Sequence, residues 1–111
     1  MTQNSVCKVR IRKNYAEATN HVVVGEVLEM NDVYLKVRCK TYHFRRPIHS
    51  ASIQTSDTKV RIFPWSTIAY ITELPEEVRW ENAEAKLDKK GDVVLEPADG
   101  VMVNLKETLD S

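Results

Sequence analysis

The sequence predicts a mainly β protein with two parts. A five-stranded, strongly bent antiparallel barrel over residues 1–74 precedes an acidic C-terminal extension over residues 75–111. Two observations predict the barrel: five short segments alternate apolar and polar residues, and tight-turn residues break the chain between them. The extension is set apart by its excess of Asp and Glu. A chain of 111 residues is large enough for one domain with a buried core.

The five predicted strands follow one another with short breaks, over residues 6–13, 21–30, 33–44, 59–63 and 67–73. Gly25 interrupts the second strand, and a glycine inside a strand favours a bulge or a sharp bend. Asn31 and Asp32 supply turn chemistry before the third strand, which Pro47 ends. Residues 48–58 are predicted to form a loop or a hairpin tip, and 64–66 separate the last two strands. Short strands with tight breaks favour a small closed barrel.

The third strand shows the clearest alternation. Its apolar set is Val33, Leu35, Val37 and Cys39, and its other set is Tyr34, Lys36, Arg38, Lys40 and Tyr42. Because successive side chains of a strand point to opposite faces, this pattern predicts three cations between two aromatic rings on one surface. Such a surface suits a ligand with phosphates and bases. An ordinary half-exposed strand with a solvated face has the same composition, so both interpretations stay open.

The extension is predicted to contain a helix over residues 75–90 and a hairpin over residues 92–105. Pro75 suits a first helical position, two glutamates follow it, lysines occupy the last turn, and Gly91 suits the helix end. The apolar stripe of this helix would be thin, so we expect it to pack on the barrel or on a neighbouring subunit. Residues 97–100 have turn chemistry between the two hairpin strands.

The formal net charge is zero, but its distribution is uneven. Residues 1–72 contain eleven Lys and Arg and five Asp and Glu, whereas residues 73–111 contain five and eleven, so the two parts carry about +6 and −6. Nucleic-acid binding requires a local basic surface rather than a basic total. The alternative is that the acidic extension covers the basic part and neutralises it.

Several classes of protein find little support in the sequence. No apolar run reaches the roughly 18 residues of a membrane helix, and residues 1–13 have no apolar signal region, so we expect a cytoplasmic protein without a membrane partner. Cys7 and Cys39 fall on the apolar sides of their strands, which favours buried reduced thiols over a disulfide.

No motif of a catalytic site, phosphate-binding loop or metal site is present. A zinc site could be drawn from Cys39, His43 and His49, but no fourth ligand has suitable spacing. His21, at a strand start, is predicted to be a structural or surface residue. We therefore expect no catalytic residue, no metal and no cofactor.

Residues 25–37 and 62–71 are similar to the two sequence motifs of the Sm, LSm and Hfq family of small barrels, and the resemblance covers about residues 6–73. It implies homo-oligomeric rings of five to seven subunits, in which the fourth strand of one subunit pairs with the fifth strand of the next. It also implies binding of single-stranded RNA, or DNA, around the ring pore. The chain is similar to divergent Sm-like proteins of marine phages in three features. These are its small size, its extension and the absence of the usual Arg-Gly in the second motif.

The resemblance implies a nucleic-acid site in the loops between strands two and three and between strands four and five. Asp32, Tyr34 and Lys36 have the spacing of the family's Asp, stacking residue and base-reading Asn, and they share a face. Counting from the motif glycine instead places Asn31 at the Asp position. Pro64 and Trp65 occupy the place of the usual Arg-Gly, and Trp65 is a candidate for stacking on a base or for packing at a subunit seam. The candidate nucleic-acid-binding residues are Asn31, Asp32, Tyr34, Lys36, Arg38, Lys40, Trp65 and Ser66.

A second hypothesis assigns the same barrel a structural role. In this case it is an assembly module that oligomerises by edge-strand pairing without nucleic acid, and its basic face binds the acidic extension. A hydrolase or metal enzyme is a third class, and it would require a bound ion.

Overall fold

The structure, a computed structural model, describes residues 2–13, 20–44, 53–87, 93–96 and 103–105. In these ranges it is built from strands, and its helical segments are two three-residue 3-10 turns, Trp65–Thr67 and Trp80–Asn82. The strands are β1 (Val6–Ile11), β2 (Asn20–Met30), β3 (Tyr34–Phe44), β4 (Gln54–Thr55), β5 (Lys59–Pro64), β6 (Ile68–Glu73), β7 (Glu84–Leu87), β8 (Val93–Glu96) and β9 (Val103–Asn104).

The first six strands form one antiparallel sheet in the order β4-β3-β2-β1-β6, and β5 pairs with the same side of β3 as β4 does. The five predicted strands correspond to β1, β2, β3, β5 and β6. The short strand β4 lies within residues 48–58, for which the sequence predicts a loop or a hairpin tip. The described strands do not form the predicted closed barrel, because none of their pairings joins β5 to β6.

Gly25 lies in the centre of the sheet, opposite Cys7 of β1 and Cys39 of β3. A Cβ atom at this position would lie 2.2 Å from the carbonyl oxygen of Arg38 and 2.6 Å from the Cβ of Cys39. The close approach of β3 therefore requires a glycine here. The shift of register in β2 lies further along the strand, between Val27 and Glu29.

The sheet has an apolar cluster on each face. The inner core comprises Cys7, Val9, Val23, Val27, Leu35, Val37, Cys39 and Ile68, with Ile11, Phe63, Trp65 and Ile71 packed at its edge. Burial raises the pKa of the thiols of Cys7 and Cys39, to about 12 and about 11, and neither forms a disulfide. The predicted buried thiols are therefore confirmed.

The outer core lies between the opposite face of the sheet and the C-terminal extension. It comprises Val6, Val22, Val24, Tyr42, Phe44, Val78, Trp80, Ala83, Val93, Leu95, Val103 and Leu105. The ammonium group of Lys8 donates a 2.9 Å hydrogen bond to the carbonyl oxygen of Asn104, and the guanidinium of Arg10 donates one of 2.6 Å to that of Leu105. The extension is thus packed on the sheet of its own chain.

The helix predicted over residues 75–90 is wrong for residues 75–87, and residues 88–90 lie outside the described part. Residues 76–77 form a turn, a 3-10 turn follows at 80–82, and β7 begins at Glu84. From Glu84 the burial alternates with the period of a strand, since Ala85 and Leu87 are half-buried while Glu84 and Lys86 are exposed. Pairing with β8 buries this apolar side, which outweighs local helix signals that each contribute roughly 0.3–1 kcal/mol.

The two predicted hairpin strands correspond to β8 and β9, which pair antiparallel with Leu95 opposite Val103. The turn between them lies outside the described residues. β7, β8 and β9 form a three-stranded sheet in that order.

Candidate nucleic-acid interface

The turn between β2 and β3 contacts the 3-10 turn between β5 and β6. The side-chain oxygen of Asn31 accepts hydrogen bonds from the main-chain N–H groups of Val33, at 2.8 Å, and Tyr34, at 2.9 Å. These bonds stabilise the turn in the way that Asx residues commonly do. The indole N–H of Trp65 donates a 2.6 Å hydrogen bond to the carbonyl oxygen of Asn31, and its main-chain N–H donates one of 3.2 Å to that of Val33. The two loops of the predicted site are therefore joined.

Tyr34 begins β3 next to this junction and pairs with Pro64 across the strands. Its hydroxyl donates a hydrogen bond to the carboxylate of Glu29. This bond raises the pKa of the Tyr34 phenol, because the carboxylate accepts the proton that ionisation would remove. The phenol end of the ring is thus fixed against β2, beside the joined loops.

Lys36, Arg38 and Lys40 follow Tyr34 on the same face of β3, as predicted. Lys36 lies opposite Glu29 on β2 and Ile62 on β5. Within the described part of the chain, Lys36 and Lys40 form no ion pair. Lys40 is about 20 Å from Tyr34 along the strand, at roughly 3.3 Å per residue. The joined loops and Lys36 therefore form one cluster, and Lys40 lies outside it.

Arg38 is held by the C-terminal extension. Its guanidinium carbon lies 5.0 Å from the centroid of the Trp80 ring, and one guanidinium nitrogen lies 3.3 Å from a carboxylate oxygen of Glu81. A cation above an aromatic face is attracted by the ring. Arg38 therefore belongs to the basic face of β3, but its guanidinium contacts two residues of the acidic extension.

Two further predicted site residues, Asp32 and Ser66, are exposed at the two turns. Asp32 lies in the β2–β3 turn and Ser66 in the 3-10 turn after β5. Trp65 is half-buried and packs at the edge of the inner core, so part of its ring surface contributes to the core.

Two residues of the predicted alternating surface are placed differently. Tyr42 is fully buried in the outer core, so the second aromatic ring of the predicted surface is covered. Val33, predicted in the apolar row, precedes β3 and is 69% exposed in the turn. The period of two assigns the β3 side chains to alternate faces as predicted. It does not indicate which part of a face the extension covers.

Sequence reasoning missed how much of the basic face is covered. Lys8 and Arg10 share the covered face of the sheet and are only 2% and 3% exposed. Burial, and secondarily the charge of Arg10, lowers the pKa of Lys8 to about 8. The uneven charge of the two parts does favour the alternative in which the extension covers the basic part, and the apolar Val78 and Trp80 are the sequence signals for where it packs.

Among the described residues, no group of three or more His, Cys, Asp or Glu side chains could hold a metal ion. Cys39 and His43 lie on one face of β3, and His49 is outside the described part. The described part also has no helix with the length and apolar character to cross a bilayer.

Comparisons of the chain with protein-family models, with curated proteins and with solved structures found no match.

Proposed function

We propose that this chain is a non-enzymatic Sm-like protein that assembles into a ring and binds single-stranded nucleic acid, with RNA as the first candidate. The observation that carries the proposal is the contact between Trp65 and Asn31, which joins two distant loops beside Tyr34 and Lys36. An aromatic ring can stack on a base, and a neighbouring lysine that pairs with no carboxylate of the described residues can neutralise a phosphate.

The connection between β5 and β6 supports a barrel-like curvature. These strands lie at opposite edges of the order β6-β1-β2-β3-β5, yet only the 3-10 turn at 65–67 separates them. The two edges must therefore approach each other at this turn, which requires a strongly bent sheet. The ring of Phe63, which pairs with Leu35, also lies 6.4 Å from the ring of His21 at the far end of the β2–β3 hairpin. Both features favour the barrel that the resemblance implies.

The edges of β5 and β6 support assembly into a ring. Each strand has one paired neighbour in the described chain, β3 and β1 respectively, and unpaired strand edges readily pair with another chain. On β5, Val60 and Ile62 are 53% and 56% exposed. Pairing of β5 with β6 of the next subunit would cover both edges, in a ring of five to seven subunits. The mass in solution, measured by sedimentation equilibrium, tests this assembly.

The nucleic-acid proposal is tested by fluorescence anisotropy with short oligo(U), oligo(A) and their DNA counterparts. Tyr34→Ala is expected to weaken binding by roughly 1–3 kcal/mol, the contribution of one stacked base, whereas Tyr34→Phe keeps the ring and most of the affinity. Lys36→Ala is expected to reduce the slope of the logarithm of the binding constant against the logarithm of the salt concentration, by the amount that corresponds to about one phosphate contact. Lys86→Ala, which removes an exposed cation of β7, is the matched control and should leave binding unchanged. An absence of salt-sensitive binding by the unmodified chain would contradict the proposal.

The second candidate is an assembly module without nucleic acid, and the exposed Val60 and Ile62 favour it. Ile62→Lys introduces a charge at an exposed position of β5 and is expected to lower the mass of the assembly while the subunit stays folded. A ring that forms and is disrupted by Ile62→Lys, but binds none of the oligonucleotides, would identify this second function.

A further inference from the structure

A cluster of nitrogen-bearing side chains lies on the inner face of the sheet, away from Tyr34 and Lys36. His21 of β2 lies directly opposite His43 of β3, and the two imidazole rings stack with centroids 4.1 Å apart and planes 28° from parallel. Phe63 of β5 approaches His21 edge-on, at 6.4 Å between ring centroids. Tyr34 and Lys36 belong to the alternate set of β3 residues and therefore face the opposite way.

Arg61 brings a positive charge to this pair. It lies two residues before Phe63 and so on the same face of β5. Burial first, and then the charge of Arg61, lowers the pKa of His43; for His21 the neighbouring His43 acts as well, and the pKa falls to about 4. At neutral pH the cluster therefore contains one cation and two neutral imidazoles, each with one N–H donor.

Two nitrogens of this cluster are buried without a hydrogen-bond partner within the described residues, Nε2 of His21 and Nε of Arg61. No carboxylate of the described part pairs with the Arg61 guanidinium. A buried donor or acceptor without a partner costs roughly 1–3 kcal/mol, and more when it belongs to a charged group. Buried polar groups in native proteins almost always have a partner, so an orphan of this kind indicates a water or an ion.

We propose that His21, His43 and Arg61 form a binding site for a phosphate-class oxyanion. The guanidinium supplies charge and a planar set of donors that fits an oxyanion, and the imidazoles supply additional N–H donors. A metal ion fits the cluster poorly, because Arg61 repels a cation and because, among the described residues, no group of three or more His, Cys, Asp or Glu side chains could hold one. The oxyanion is either free inorganic phosphate or the phosphate of a nucleotide.

The test follows the histidine ring resonances by NMR at pH 7, with His21→Gln and His43→Gln used for assignment. Inorganic phosphate, uridine 5′-monophosphate and uridine are added at constant ionic strength, with chloride as the reference salt. We expect saturable shifts of the His21 and His43 resonances with phosphate or with the nucleotide, and none with uridine. If both phosphate and the nucleotide shift the resonances, the oxyanion alone is sufficient for binding. If the nucleotide shifts them and inorganic phosphate does not, the ligand is the phosphate of a nucleotide.

Arg61→Gln is expected to weaken this binding at least about tenfold, as the loss of a charge-assisted hydrogen bond would. Lys59→Gln removes an exposed cation of the same strand and should leave it unchanged. If Arg61→Gln does not fold, Arg61→Lys keeps the charge without the planar donors and is expected to weaken binding too. Equal shifts with chloride and phosphate, or equal affinity of the Arg61 and Lys59 variants, would overturn the proposal. Because this face is separate from Tyr34 and Lys36, the oligonucleotide experiment can fail while this one succeeds, and the reverse also holds.

Discussion

The indole N–H of Trp65 donates a 2.6 Å hydrogen bond to the main-chain carbonyl oxygen of Asn31, which lies 34 residues earlier in the chain. This bond joins the turn that starts β3 to the turn that ends β5. It makes the position of Tyr34 and of the exposed Asp32 and Ser66 depend on a half-buried tryptophan.

Trp65→Phe keeps an aromatic ring but removes this donor and leaves the Asn31 carbonyl without its partner. We expect the free energy of unfolding to fall by about 1–2 kcal/mol, the cost of one lost hydrogen bond together with some lost packing. Urea denaturation measures the change, and Ser66→Ala, at an exposed neighbouring position, is the control. Equal midpoints for Trp65→Phe and the unmodified chain would show that the bond does not stabilise the fold.

Gly25→Ala places a methyl group where the Arg38 carbonyl oxygen and the Cys39 side chain already lie. Because the 2.2 Å approach is to main chain, which cannot move without displacing β3, we expect a loss of about 3 kcal/mol or more. Thermal unfolding followed by circular dichroism checks this expectation. Thr55→Ala, on the exposed strand β4, should leave the midpoint nearly unchanged.

Glu81→Gln removes the carboxylate that holds Arg38. The side chains of this pair are 36% and 50% exposed, so the free energy of unfolding should change by no more than about 1 kcal/mol. If the proposed function is correct, release of Arg38 should strengthen oligonucleotide binding. It should also steepen the dependence of the binding constant on salt concentration, by the amount that corresponds to at most about one phosphate contact. Anisotropy titrations at several salt concentrations measure both quantities.

The matched control is Glu96→Gln, which breaks the 2.9 Å pair of Glu96 with Lys86 and makes the same change in net charge. It should alter oligonucleotide binding little. Identical gains from both variants would indicate a general charge effect rather than release of Arg38.

The stability of the chain should fall as the pH falls from about 6.5 towards about 4. The folded-state pKa of His21 is lowered to about 4, and that of His43 is also lowered. The unfolded chain therefore binds more protons in this range, which favours unfolding on acidification. Above pH 6.5 the contribution is fully present.

Urea midpoints measured between pH 7 and pH 4.5 test this dependence in a buffer without phosphate. Titration of carboxylates also contributes at the lower end, so the useful quantity is the difference between variants. His21→Gln is expected to show a shallower decline than the unmodified chain. A parallel decline in both would mean that His21 keeps an ordinary pKa in the folded state.

The alternation in the sequence is enough to predict the strands β1, β2, β3, β5 and β6, because a period of two is a local property of each segment. It also indicated the bend-permitting Gly25 and the Asn31 turn, since both depend on main-chain geometry within a few residues. The shared face of Tyr34, Lys36, Arg38 and Lys40 followed from the same period.

What each face of the sheet contacts depends on how distant parts of the chain pack together. The local helix signals at residues 75–87 were outweighed by burial of Trp80 in the outer core and of Ala85 and Leu87 at its edge. The contacts of Arg38 with Trp80 and Glu81, and the effect of the Arg61 charge on the pKa of His21 and His43, involve residues that are 18 to 43 positions apart. Periodicity assigns a side chain to a face, but only the packing of the sheet against the extension determines whether that face meets solvent or, as at Arg38, the acidic turn that contains Glu81.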